Sequence, residues 1–145
     1  MKLKIKKFDE LNIYELYKII KLRVDVFVVE QNCPYKELDD MDQKSIHLWY
    51  EEDGEIKSYL RVFVKDRENN VAAIGRVISY DRGRGLGSLI LDEGIKAARS
   101  LDADKIYIEA QTYAIDFYKK HGFVEVSEYF LEDGIEHVSM ELNLK

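Results

Sequence analysis

Proline occurs once in the 145 residues, at Pro34, and cysteine once, at Cys33. A lone cysteine excludes an intrachain disulfide and any multi-cysteine zinc site. With no Gly/Ser tract, repeat or proline-rich stretch there is no linker signal, and residues 1–145 read as one domain. No stretch approaches the ~20 apolar residues of a membrane span. The amino terminus, Met1-Lys2-Leu3-Lys4-Ile5, alternates instead of opening an apolar signal core. Basic residues are in the minority: 22 Lys and Arg stand against 28 Asp and Glu, a net charge of −6. Nucleic acid calls for a basic footprint and anionic membranes for basic clusters, so neither partner is expected. The expected location is the cytoplasm.

Hydrophobic residues make up 46% of the chain and charged residues 34%, which excludes a disordered chain, a collagen and a coiled coil. Residues 2–8 alternate as a strand does. Asn12 can cap a helix whose apolar positions Ile13, Leu16, Tyr17, Ile20, Val24 and Phe27 share one face. The segment 30–42 is acidic and irregular. Residues 46–51 and 55–65 read as strands joined at Asp53-Gly54, a strong hairpin signal, and 71–80 as a third. A helix follows to about residue 101, then a strand over 105–110. A strand, a long crossover and a strand imply a parallel pair. A short helix over 114–121 has Gly122 at its C′ position. Strands 123–130 and 137–144 flank the turn Glu132-Asp133-Gly134. The fold class is α/β: a mixed, mostly antiparallel sheet with one parallel pair and helices on both faces.

The segment richest in chemistry is Arg82-Gly83-Arg84-Gly85-Leu86-Gly87-Ser88, between a strand and a helix. Glycines let backbone approach a ligand closely, and a helix start adds unsatisfied N–H groups and a positive dipole end. Such a loop suits a diphosphate. A Walker loop would need a lysine before Ser88, and a dinucleotide fingerprint a glycine or alanine in its place. A polar helix-start turn and a nucleotide-binding loop are the other readings.

Arg82-x-x-Gly85-x-Gly87 resembles the acyl-CoA-binding motif of the GNAT N-acetyltransferase superfamily, and Ala114-x-x-Phe117-Tyr118-x-x-x-Gly122-Phe123 resembles its second motif. The order of elements agrees over the whole chain. Val26-Phe27-Val28-Val29-Glu30-Gln31-Asn32-Cys33-Pro34-Tyr35, Ile74-Gly75-Arg76-Val77 and Glu132-Asp133-Gly134-Ile135-x-His137 are similar to the ElaA-like group of small bacterial GNAT proteins. The resemblance implies an acyl-CoA N-acyltransferase fold whose parallel strands splay apart, with acetyl-CoA as acyl donor. Its diphosphate would rest on the loop residues Arg82, Gly83, Arg84, Gly85, Leu86, Gly87 and Ser88. Its pantetheine would lie against Val77, Ile78 and Ser79, near Gln111. The junction from Val77 to Arg82 is shorter than the family's usual pattern.

The implied activity is direct acetyl transfer to a primary amine of a small molecule or protein. The alternative is a non-catalytic acyl-CoA-binding or regulatory module. Tyr118 matches the family's general acid. A phenol (pKa about 10) is a weaker acid than a thiol (about 8.5), so full proton transfer is uphill by ~2 kcal/mol and hydrogen-bond donation is the lighter demand. A packing tyrosine is the plainer reading of the same residue. For the base, Glu109 lies near the end of its strand, where ligands gather in parallel sheets. His47 and His137 sit inside the resembling motifs and titrate in a useful range, and a water chain is a further option. Glu30, Glu37, Asp39, Asp40 and Asp42 outnumber Lys36 in segment 30–42. They form either a solvated loop or a negative rim for a cationic acceptor, with Glu30, Glu37, Asp39, Asp42, His47 and His137 as its candidate binding residues. Asp40-x-Asp42 lacks the glycine and distal glutamate of a calcium loop, and no metal is expected. No cysteine–histidine signature surrounds Cys33. The last strands offer an edge through which a homodimer can form.

Overall fold

Two tight turns define the hairpins of the sheet. Asp53 and Gly54 adopt φ of +54° and +78°, and Asp133 and Gly134 adopt +51° and +78°, the pair of positive angles a type I′ hairpin requires. The computed structural model describes residues 1–80 and 83–145. Its strands are β1 (Lys2–Lys7), β2 (Ile46–Glu52), β3 (Glu55–Asp66), β4 (Val71–Ser79), β5 (Lys105–Gln111), β6 (Val124–Glu125), β7 (Phe130–Glu132) and β8 (Ile135–Asn143). They form one sheet in the order β1-β2-β3-β4-β5-β8-β6, with β7 also on β8. Among the described residues only β4 and β5 run parallel; the other pairs are antiparallel. The helices are α1 (Ile13–Arg23), continued by a π-helical segment (Val24–Glu30), then α2 (Leu86–Ser100) and α3 (Ile115–Lys120). Among the described residues no helix is long and apolar enough to cross a membrane.

Strand alternation divides the core. Leu48, Leu60, Val62 and Ile74 face Ile90, Leu91 and Ala98 of α2. Trp49, Tyr59 and Ile78 face the other way, onto Ile19, Leu22, Val26 and Phe27. Helices therefore cover both faces, as the alternation of strand and helix implies. At the crossing of α2 over β3, a Cβ on Gly94 would stand 3.0 Å from both δ-carbons of Leu60, so the backbone of α2 approaches the sheet closely.

Two expectations are corrected. The inward stripe of α1 is Glu15, Ile19 and Arg23, whereas Ile13 and Tyr17 are 75% and 72% exposed. The charges turn inward because partners wait there. Lys6 Nζ donates to both oxygens of Glu15 at 2.9 Å and Lys4 Nζ to one at 3.3 Å, and Arg23 meets two carboxylates described below. The strand expected over 123–130 is two short pieces, β6 and β7, along one edge of β8. Between them Ser127 Oγ accepts the N–H of Ser139 at 2.9 Å, so a side chain replaces the ladder bond.

Candidate functional site

The parallel pair opens almost as soon as it forms. Val71, Ala72 and Ala73 pair with Lys105, Ile106 and Tyr107, and beyond them β4 and β5 diverge. The cause lies on the far edge of β4. Tyr59 pairs with Ile78 and Arg61 with Gly75, so Arg76 and Val77 together oppose Leu60. This is a bulge, and such insertions bend a strand. Arg76 carries the irregularity with φ of +53°, unusual for a residue with a side chain. The divergence leaves a cavity of about 440 Å³. Its walls include Phe27, Arg76, Val77, Glu109, Tyr118 and His137.

An ionic network holds the bulge. Arg23 Nε and Arg76 Nε both donate to Glu37 Oε2 at 2.7 Å. Arg23 Nη1 donates to Asp42 Oδ1 at 2.5 Å and Arg61 Nη1 to the same oxygen at 2.9 Å. Asp39 accepts from Arg61 and, at 3.3 Å, from Arg76 Nη2. Tyr35 donates its hydroxyl to Glu37 Oε1. Segment 31–42 is thus folded onto the sheet, and three guanidinium groups meet three of its acids. Burial alone would raise the carboxyl of Asp39, but the hydrogen bonds and charge of Arg61, with Arg76 behind them, hold it down at about 2. Burial likewise opposes ionisation of Asp42, and Arg23 and Arg61 reverse the effect.

His47 lies behind this network with no exposed surface. A carbonyl can only accept, so Nε2–H donates to Asp42 O at 3.0 Å, and Nδ1 accepts from the Tyr59 hydroxyl at 2.7 Å. Burial favours the neutral ring and lowers its pKa.

The β5 side of the cavity carries Tyr118, Glu109 and His137. The Tyr118 ring stands edge-on to Phe117 and Phe123, with centroids 5.2 and 5.8 Å away. Burial pushes its phenol up, well beyond the usual range. The carboxyl of Glu109 is raised by burial and then by the charge of Glu132. His137 Nδ1–H donates to Ile135 O at 2.7 Å, and Nε2 faces Glu132 Oε2 at 3.9 Å. The three chemically competent side chains come from β5, α3 and β8 and share one cavity.

The glycine loop meets α2 where a cradle was expected. Gly83 and Gly85 have φ of +90° and +72°, a region that disfavours side chains. Gly85 is the N-cap, and no side chain among the described residues caps the helix. The first-turn N–H groups therefore lack helical acceptors and fit an anionic group. A Cβ on Gly87 would lie 3.5 Å from both Phe117 and Ser79, so this helix start adjoins the end of β4 and, through Phe117, Tyr118. Leu86 is buried and anchors the turn. Arg84 reaches Glu52 at 3.0 Å. Arg82 lies outside the described residues.

The remaining expected residues are dispersed. Val77 lines the cavity, whereas Ile78 is buried against the α1 side. Gln111 donates to Gln31 at 3.3 Å at the cavity wall. Glu30 is exposed and accepts from the Tyr80 hydroxyl at 3.2 Å. Glu37 and Asp42 are buried beneath their arginines, while Asp39 reaches the cavity. The sequence reading missed Arg23, Arg61 and Arg76. Two signals were present: Arg61 interrupts the apolar run Leu60 to Val64, and Arg76 stands in the resembling stretch Ile74-Gly75-Arg76-Val77.

Residues 17–144 match the acetyltransferase (GNAT) domain family, and the chain belongs to that family. Among its relatives, Protein ElaA of Escherichia coli is 35% identical over 137 residues, covering 91% of this chain and 90% of that protein. The crystal structure of Escherichia coli ElaA superposes with a TM-score of 0.90, covering 98% of this chain and 99% of the other at 31% identity. An acyl-CoA N-acyltransferase from Pseudomonas aeruginosa superposes with a TM-score of 0.89, covering 98% and 99% at 37% identity.

Proposed function

We propose that this protein transfers the acetyl group of acetyl-CoA directly to a primary amine. The observation that carries the reading is the splayed β4–β5 gap, lined by Tyr118, Glu109 and His137, with the start of α2 close by, where Gly87 lies against Ser79 and Phe117. Acetyl-CoA supplies an already activated thioester. The first-turn amides of α2, with Gly83, Arg84, Gly85, Leu86, Gly87 and Ser88, hold its diphosphate, and Arg82 adds charge. Val77, Ile78 and Ser79 receive the pantetheine along the edge of β4 that β5 leaves free, with Gln111 opposite. A backbone N–H near Ile78 polarises the thioester carbonyl.

Tyr118 keeps its proton, because burial disfavours the phenolate, and donates a hydrogen bond to the sulfur as negative charge develops there. Glu109 takes the amine's proton, its basicity increased by burial and by Glu132. Nε2 of His137 is the adjacent acceptor. The acceptor is a cationic amine drawn toward Glu109, Glu132 and Asp39, which line the cavity, with the exposed Glu30 outside it. Glu37, Asp42 and His47 have their polar atoms engaged by protein groups and act from behind, by fixing the bulge. The buried free thiol of Cys33 suits a reducing cytoplasm.

The test is release of free CoA from acetyl-CoA in the presence of polyamines, amino acids and peptides. Amine-dependent release supports the reading. Tight acetyl-CoA binding with no release for any amine favours the non-catalytic module.

A further inference from the structure

Acetyl transfer has no use for a serine–histidine–aspartate relay, yet one stands at the start of α2. His121 Nδ1 lies 3.0 Å from Asp92 Oδ1 and its Nε2 lies 3.2 Å from Ser88 Oγ. The ring is held in place by Phe117, at 5.3 Å between centroids, and by the backbone, because the N–H of His121 bonds to Tyr118 O at 3.0 Å. We propose that His121, supported by Asp92, is a positioning residue that turns the Ser88 hydroxyl into a ligand for the cofactor's diphosphate, and that cofactor binding takes up a proton at His121. The proposal rests on the reading of this helix start as the diphosphate cradle.

Donors and acceptors decide how the three side chains can bond. A carboxylate accepts, so Nδ1 carries a hydrogen toward Asp92. In the neutral ring Nε2 then has only a lone pair. Ser88 must donate its single hydrogen to that nitrogen, leaving oxygen lone pairs toward the cradle. A phosphate oxygen also offers lone pairs alone, and the two repel. When the ring gains a solvent proton at Nε2, that N–H donates to Ser88 Oγ, and the hydroxyl hydrogen is released to point at the phosphate. The charge of Asp92 compensates the imidazolium, and the anion stabilises it further. The charged groups around the ring are consistent with this. Asp92 comes from α2. Lys119 of α3 is turned to Glu125 at 2.9 Å, Lys120 is the last residue of α3 before His121, and Arg84 before α2 is paired with Glu52.

Calorimetric titration of free coenzyme A into the full chain at about pH 7.5, in buffers of differing ionisation enthalpy, counts the protons taken up, in a range where imidazoles titrate. The expected result is uptake by the wild type that exceeds uptake by His121→Gln and by Ser88→Ala. Changes in the coenzyme's own phosphates are common to all three and cancel. Between about pH 6 and 8 the wild-type affinity should fall relative to His121→Gln, by up to about tenfold per pH unit for one linked proton. Ser88→Ala alters a half-buried hydroxyl and keeps the test independent of any folding defect in His121→Gln. Equal proton uptake in all three proteins, with coenzyme A still bound, overturns the proposal and leaves the cradle intact. Failure of the wild type to bind coenzyme A overturns the cradle and the proposal together.

Discussion

Arg76, at the bulge of β4, donates its Nε to Glu37 Oε2 at 2.7 Å, and Arg23 of α1 donates to the same oxygen at the same distance. One carboxylate thus ties a helix, a strand and a loop at the point where the sheet opens. Charge, in this fold, shapes the cavity from inside. The acids of segment 30–42 look like a rim for a cationic substrate when counted along the chain. Folded, Glu37, Asp39 and Asp42 are largely matched by Arg23, Arg61 and Arg76.

Removing Glu37 leaves two guanidinium groups short of their shared acceptor. Breaking a buried pair by deleting one partner costs about 3–5 kcal/mol. Glu37→Ala is expected to lose stability in that range in urea denaturation, with little change in the slope of the transition. A loss below about 1 kcal/mol, the ordinary worth of an exposed pair, would show that the network contributes no more than a surface one.

The depressed carboxyls also set an acid limit. Asp39 is held at about 2, and Asp42 is lowered by the same guanidinium groups. A group with a lowered folded pKa stabilises above its unfolded value and loses that contribution as pH falls toward the folded one. Stability from these two acids should be intact above about pH 4 and drain away down to about pH 2. Arg61→Met should flatten this acid dependence, as read by denaturation midpoints along a pH series.

His47 adds a second slope at milder pH. Its ring is buried, and burial lowers its pKa, so folding requires the neutral form. Stability should be full above the unfolded value of about 6.5 and should decline as pH falls below it. His47→Gln is expected to be less stable at neutral pH but to show a shallower decline toward pH 5. Parallel curves for the two proteins would remove His47 from the linkage.

These network residues were the least legible part of the sequence. The hairpin at Asp53-Gly54, the parallel strands β4 and β5, and the start of α2 after Gly85 each follow from local rules of turn chemistry or periodicity, and they stand where the sequence puts them. The inward face of α1 does not. Its apolar positions suggest Ile13 and Tyr17 inside, but the charges Glu15 and Arg23 go in because partners arrive from β1 and from residues 37–42. The bulge was hidden for a similar reason. Its positive φ falls on Arg76 and not on the neighbouring Gly75, and long-range contacts, the bonds to Glu37 and Asp39 and the rings of Phe27 and Tyr35, account for an arginine there.

For catalysis, Tyr118→Phe should lower kcat by about 10²-fold, the lower range for loss of a positioned proton donor, with acetyl-CoA affinity nearly unchanged. The phenol is raised by burial, so activity should not fall through the ordinary tyrosine range at high pH. Steady-state kinetics across that range check both statements, and unchanged turnover in the variant would exclude Tyr118 from the reaction.

Glu109 offers a sharper pH test. Its carboxyl is raised by burial and by Glu132, and a base works only when deprotonated. The acid limb of kcat/KM should therefore sit above the ordinary glutamate value of about 4.3. Glu132→Gln removes the second cause and should shift that limb to lower pH, whereas Glu109→Gln should abolish it with a large fall in rate. An acid limb that stays in place in both Glu109→Gln and Glu132→Gln would exclude Glu109 as the base.

The most direct measurement of the central claim is a crystal structure with acetyl-CoA bound. The account predicts the diphosphate on the first-turn amides of α2, the pantetheine along Val77 to Ser79 in the gap between β4 and β5, and the sulfur facing the Tyr118 hydroxyl. A cofactor bound elsewhere, or a thioester lying away from Tyr118 with the gap empty, would contradict it.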